Sequence, residues 1–204
     1  DAPALIRPLA AVTGVLAMLT VLSTGKIYST LVTIRSWHNP WTVWVYLGFA
    51  LATGAVILAA LTAVFGNFPA FLVYFSSTLL ALATIIVVLY WRSIDAAPRD
   101  LTMGDATGLG RLGEVSQWEQ PHSAPNYIQK EMGYVVARRH AAKLRRMVIA
   151  ALLLAILLML SALAVPFAAL LSMVLALFAA VVQRWLFFAE AQHVSSLFYG
   201  AKAA

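Results

Sequence analysis

The chain has no cysteine. It therefore forms no disulfide, holds no Cys-ligated zinc and binds no iron–sulfur cluster through thiols of its own, and cysteine usage says nothing of its redox compartment. Charge is scarce too. Only 11% of its 204 residues are Asp, Glu, Lys or Arg, against about a quarter in a typical soluble domain. Nothing in it resembles a Ser–His–Asp set, a pair of catalytic carboxylates, a metal-ligand spacing or a repeated channel filter. The sequence thus carries no signature of a hydrolase, a metalloenzyme or a selective ion channel. The first residue is Asp1, no basic segment precedes the first apolar run, and no small-residue cleavage site follows it. That run is not a signal peptide, and the expectation is the later part of a longer chain, or a processed one.

Apolar residues fill the gap: 62% of the chain is hydrophobic. They gather in five stretches, Pro8–Thr24, Val43–Phe65, Ala70–Trp91, Met147–Val165 and Phe167–Ala189. About 20 apolar residues rising 1.5 Å each match a hydrocarbon core of about 30 Å. Within lipid the backbone finds partners only in itself, so each stretch is predicted to be a helix. The expected fold is an all-α integral membrane bundle, a single domain over 1–204 with five transmembrane helices and one long polar loop. Helix four could run on through Pro166 as one kinked rod, but that rod would far exceed one bilayer crossing; a close antiparallel hairpin is expected instead.

Charge placement orients the bundle. Call the side of the N-terminus X and the opposite side Y. Side Y receives the loop Gly25–Thr42, the segment Arg92–Arg146 and the C-terminus. Of 14 Lys and Arg residues, only Arg7 falls on side X. The positive-inside rule makes Y cytoplasmic. The net charge of +6 is read as orientation and contact with anionic lipid, not nucleic acid, because the basic residues crowd at the membrane.

Along the spans, Thr13, Gly14, Ala17, Ser23, Thr24 and Gly25 of the first stretch and Gly48, Ala52, Ala55 and Ala59 of the second form small-residue faces suited to close helix packing. Gly66-Asn67-Phe68-Pro69 reads as a turn. Trp37, Trp41, Trp44, Tyr46, Tyr90, Trp91, Trp185, Phe187, Phe188, Phe198 and Tyr199 lie near helix ends. Two readings of them are open, an interfacial belt or a wall for a flat aromatic ligand. The segment 92–146 begins with irregular chain over Asp95–Pro125, too long for a plain connector. From about Ile128 to Arg146 its pattern turns helical, predicting a surface helix that runs into helix four. The segment holds nine basic and six acidic residues, a balance that suits docking to a protein.

Gly108-Leu109-Gly110-Arg111-Leu112-Gly113 fits GxGxxG, but no strand precedes it and no βαβ unit surrounds it, so a turn-rich loop is the better reading. His38, His122, His140 and His193 all fall outside the spans, so no haem between helices is expected. Near the bilayer the ionisable groups are few: Lys26, Arg184, Glu190 and His193. Together with Tyr28 and Gln183, the last three could line the Y-side mouth of a cleft. A quinone headgroup needs donors to two carbonyls and a group that exchanges protons, and such a lining supplies both. Helix-end anchoring, with Arg184 snorkelling to the interface, accounts for the same residues.

Several segments together resemble the anchor (C) subunit of the DMSO reductase family of membrane molybdoenzymes. They are Lys26-Ile27-Tyr28 followed by Trp37-His38-Asn39-Pro40-Trp41, the loop 106–113, Glu131-Met132-Gly133 leading to Arg138-Arg139-His140, and Gln183-Arg184-Trp185-Leu186-Phe187-Phe188. The five spans look like the last five of about eight family helices. The resemblance implies a haem-free subunit that binds quinone and anchors a ferredoxin-like iron–sulfur subunit, which in turn serves a molybdopterin subunit. The polar segment would then grip the iron–sulfur partner, with Arg99, Arg111, Trp118, Glu119, Tyr127, Arg138 and Arg139 as docking residues. Two features depart from the DMSO reductase pattern: the length of 92–146, and a charge count that places the partners in the cytoplasm of a bacterial inner membrane. The cytoplasmic placement is similar to the sulfite:quinone branch, which passes electrons into the quinone pool; quinol oxidation in the DMSO reductase manner is the alternative. Two other classes fit the same spans: a small transporter component, which usually shows a broken or polar helix near mid-membrane, and a purely structural tether.

Overall fold

The computed structural model describes residues 2–66, 68–97, 101–116, 118–119 and 139–199. Their order is α1 (Ala2–Ser29), α2 (Trp41–Val64), α3 (Ala70–Ala96), a short α4 (Met103–Thr107), α5 (Ala141–Ser161), α6 (Ala168–Ala189) and a 3-10 turn, η1 (Val194–Tyr199). Among the described residues there is no strand, only an isolated bridge between Ile34 and His193. Five helices are long and apolar enough to cross a membrane; the fold is an all-α membrane helix bundle and the protein is multi-pass.

The helices outrun the apolar stretches. α1 extends to Ser29 and α3 to Ala96, because a helix stops where its backbone bonding stops, whereas hydropathy marks only the part that suits lipid. α5 likewise begins at Ala141, so Lys143, Arg145 and Arg146 form the first turns of a spanning helix. The rest of the expected surface helix, over 128–138, lies outside the described residues. Pro166 sits in the turn between α5 and α6, which form a tight hairpin joined by a hydrogen bond from Ser172 Oγ to the Ala155 carbonyl, 2.7 Å. The α2–α3 turn is released by Gly66 at φ +76, a left-handed conformation that glycine adopts without penalty.

α2 packs on α3 and α6, and α5 packs on α3 and α6, so the two hairpins close into a ring of four. The seams are lined by small side chains, among them Ala52, Ala55 and Ala59 of α2, Ala155 of α5 and Ala169, Ala176 and Ala179 of α6, all buried. In lipid, helix association depends on such close approach, not on apolar burial.

α1 stands outside this ring. Gly25 is its one contact of closest approach: a Cβ there would lie 3.2 Å from Val43 Cα. Before Gly25 the helix diverges. Gly14 has nothing within 4 Å of where a Cβ would stand, so of the small residues expected to pack in α1, only Gly25 is buried. The divergence opens an apolar groove of about 560 Å³ between α1 and α2, lined by Ala10, Gly14, Met18, Leu19, Leu22 and Leu47 among others. The alternation of directions brings the C-terminal ends of α1, α3 and α6 and the N-terminal ends of α2 and α5 to one end, side Y.

Candidate functional site

At side Y the 30–40 connection folds back over the end of α6. The Trp37 indole Nε1 donates to the Phe187 carbonyl at 2.8 Å, satisfying one of the acceptors that a helix end leaves open. Thr42 Oγ1 donates to the Trp37 carbonyl at 2.7 Å, and the backbone N–H of Val194 donates to the Thr33 carbonyl at 3.0 Å. Asn39 bridges outward: its Nδ2 donates to Ser93 Oγ at 2.6 Å and its Oδ1 accepts from the N–H of Trp41 at 2.8 Å, turning the chain into α2.

Beneath this fold lies a knot of rings. Tyr28 of α1 stacks on Tyr46 of α2 with centroids 5.7 Å apart and meets Trp37, Phe187 and Phe188 edge-on at 4.9, 5.3 and 5.7 Å. Trp37 and Phe187 stack at 5.3 Å. The guanidinium of Arg184 lies over the Tyr46 ring, 3.7 Å from its centroid, and 5.1 Å from that of Phe187. Such contacts stabilise a cation out of water. Arg184 thus turns inward onto aromatic faces; it does not snorkel freely.

One residue earlier on α6, Gln183 is 1% exposed. Neither of its amide atoms, nor Arg184 Nη1, has a hydrogen-bond partner among the described residues. Leaving a buried amide unpaired costs about 1–3 kcal/mol; Arg184 Nη1 beside flat rings, with the Gln183 amide one residue away on α6, suits a polar, planar molecule.

Glu190, one residue beyond α6, belongs to a second cluster. Arg145 of α5 pairs with it at 2.9 Å and with Asp95 of α3 at 2.8 Å; these are the ion pairs among the described residues. The Arg145 guanidinium also lies 5.5 Å from the Trp91 ring centroid. Burial pushes the Glu190 carboxyl up from its ordinary range, Arg145 opposes that shift, and Asp95 adds to it. Between the clusters stands Tyr90, buried, whose hydroxyl donates to the Ser36 carbonyl at 3.2 Å. It lies within electrostatic reach of Glu190, Arg184 and Arg145.

Of the residues expected to line a cleft, Tyr28 and Arg184 meet on the Tyr46 and Phe187 rings, Gln183 is buried one residue before Arg184, and Glu190 lies in the second cluster of ions. His193 is set apart. Its Nδ1 accepts from the Ser195 backbone at 3.0 Å and faces Ser195 Oγ at 2.6 Å, holding the start of η1. His38 donates from Nδ1 to the Ser29 carbonyl at 2.8 Å, and His140 precedes α5 as its N-cap. No group of three or more His, Asp or Glu able to hold a metal occurs among the described residues. Arg111, Trp118, Glu119 and Arg139 are exposed; Arg99, Tyr127 and Arg138 lie outside the described residues, as does His122.

The glycine motif has a backbone explanation. Gly108 ends α4 at φ +71 and Gly113 sits at φ +149. Gly110 packs on Gly104, where a Cβ would come within 2.9 Å of Gly110 Cα. The sequence reading passed over Asp95 and Arg145 as partners of Glu190. They stand 50 residues apart in the chain, and no local spacing signals their meeting.

No protein-family model, no curated protein and no solved structure matches the chain.

Proposed function

We propose that the chain is the quinone-binding membrane anchor of a multi-subunit oxidoreductase, set in a bacterial inner membrane with side Y in the cytoplasm. Its partners are an iron–sulfur subunit and a molybdopterin subunit, as the resemblance to DMSO reductase anchor subunits implies. Electrons pass from the iron–sulfur partner into the quinone pool, in the manner of sulfite:quinone enzymes. The observation that carries this reading is Arg184, whose guanidinium lies over the Tyr46 ring and near the Phe187 ring while its Nη1 has no partner among the described residues; the buried Gln183 amide, also without a partner there, stands one residue before it on α6. A quinone carries two electrons and two protons through the membrane. Its carbonyls accept hydrogen bonds, which Gln183 Nε2 and Arg184 Nη1 would donate, and Gln183 Oε1 would accept from a quinol hydroxyl. Flat rings suit its headgroup. The groove along α1, which ends at Leu22 and Leu47 near Tyr28 and Tyr46, suits an isoprenoid tail.

The test is the quinone content of protein purified in mild detergent, together with titration by decylubiquinone. Bound quinone is expected in the wild type. Gln183→Leu should weaken decylubiquinone binding about tenfold, the equivalent of one hydrogen bond of about 1–1.5 kcal/mol. A wild-type protein that carries no quinone and binds no decylubiquinone would remove the reading and leave a structural tether.

A further inference from the structure

The Asp95–Arg145–Glu190 cluster draws side chains from α3, α5 and the end of α6. Packing the bundle does not require it, since the helix seams below are made by alanines. Its exposure is graded. Gln183 is 1% exposed, the Glu190 and Arg145 side chains are 12% and 17% exposed, and the Asp95 side chain is 56% exposed. Gln183 and Glu190 are seven residues apart, on one face of the same helical path and about 10 Å from each other along it. Arg145 Nε is buried with no partner among the described residues. The cluster is thus a row of ionisable groups that begins at Glu190, about two helical turns past the Gln183 amide, and ends in water at Asp95.

We propose that Asp95, Arg145 and Glu190 form the proton-exchange port of the quinone site, with Glu190 as the group that takes up and hands on the proton. This rests on the quinone reading above. Reduction of a quinone to a quinol turns two C=O groups into two C–OH groups and takes two electrons and two protons. The iron–sulfur partner supplies the electrons, and water at side Y supplies the protons. Glu190 accepts a proton from that water by way of Asp95, becoming a neutral carboxylic acid. It then gives the proton up toward the ring cluster and returns to a carboxylate paired with Arg145. Two such cycles balance one quinone. Among the described residues, the groups facing Glu190 are Arg145 from α5 and Asp95 and Tyr90 from α3. Tyr90 stacks on Phe187 of the ring cluster with centroids 6.3 Å apart and lies within electrostatic reach of Glu190, which makes it the natural relay between the clusters. Burial favours the neutral form of Glu190 while its ion pair with Arg145 favours the charged form, the net shift being upward.

The test is infrared difference spectroscopy of the purified complex loaded with decylubiquinone, the quinone being reduced electrochemically. The expected spectrum pairs the quinone bands with a carboxylic-acid C=O band that shifts in heavy water. Glu190→Gln should abolish that band while the quinone bands remain, and Glu190→Asp should keep it at a shifted position. If Glu190→Gln does not assemble, the Glu190→Asp shift alone assigns the band. Quinone bands with no carboxylic-acid band, or with a band unchanged in both variants, would overturn the port and leave the quinone site standing. Absence of quinone bands from the loaded wild type would overturn the site, and the port with it.

Discussion

Two single residues show how narrowly side Y is built. Gly25 is where α1 touches α2. A Cβ there would stand 3.2 Å from Val43 Cα, so a larger side chain must push backbone and not the tip of a flexible side chain. Gly25→Val should therefore destabilise the α1–α2 contact by about 1–3 kcal/mol and separate Tyr28 from Tyr46. The expected result is a lower detergent unfolding temperature and loss of a disulfide engineered across the two helix ends. Asp105 is the second case. Its carboxylate accepts from the Thr102 N–H at 2.9 Å and the Thr102 hydroxyl at 2.7 Å, while Thr102 Oγ1 accepts from the Asp105 N–H at 3.3 Å, a reciprocal cap for α4. These bonds favour the ionised form and hold the Asp105 carboxyl below its ordinary range. A depressed folded-state pKa adds stability that is present above the unfolded value, about 3.9, and is lost as pH falls through the lower folded value. Titration by carbon NMR should place Asp105 below the other exposed carboxylates, and Thr102→Ala should return it toward the ordinary range.

Between elements, the decisive contact is the clasp of the 30–40 connection on the last turn of α6. Trp37 contributes both a ring in the aromatic knot and the donor to the Phe187 carbonyl. The two parts can be separated. Trp37→Phe keeps a ring and loses the donor, and should cost about 1 kcal/mol. Trp37→Ala removes both and should cost about 3–5 kcal/mol. Hydrogen exchange over residues 30–40 should rise slightly in the first variant and steeply in the second. An equal rise in both would mean that the indole hydrogen bond, not the ring, does the holding.

For the molecule as a whole, the arrangement of ends matters most. Five helix termini and the 30–40 connection share side Y, and Lys26, Arg35, Arg92, Arg145 and Arg146 lie at that end. A reporter fused after Ala204 should report the cytoplasm; activity confined to the periplasm would reverse the orientation. On the proposed reading, the 92–146 segment docks the iron–sulfur subunit from the cytoplasm. Deleting Leu101–Pro125 should then release the partner subunits from membranes, and their retention would place docking elsewhere on the bundle.

The spans, their number and their hairpin pairing were legible in the chain, because a bilayer demands long uncharged runs and self-satisfied backbone, and both are local properties. The small-residue face of α2 was legible for the same reason, since three- and four-residue spacing maps onto one side of a helix. The candidate site was half legible. Tyr28, Gln183 and Arg184 announced themselves as polar or aromatic residues at helix ends. That Arg184 lies on Tyr46, that Gln183 has no partner among the described residues, and that Glu190 is tied through Arg145 to Asp95 depended on which helix neighbours which, and in what rotation. Contacts between residues dozens of positions apart follow from close packing of whole helices, which no short window of sequence encodes; for the same reason Gly14 looked like a packing residue and stands against open space.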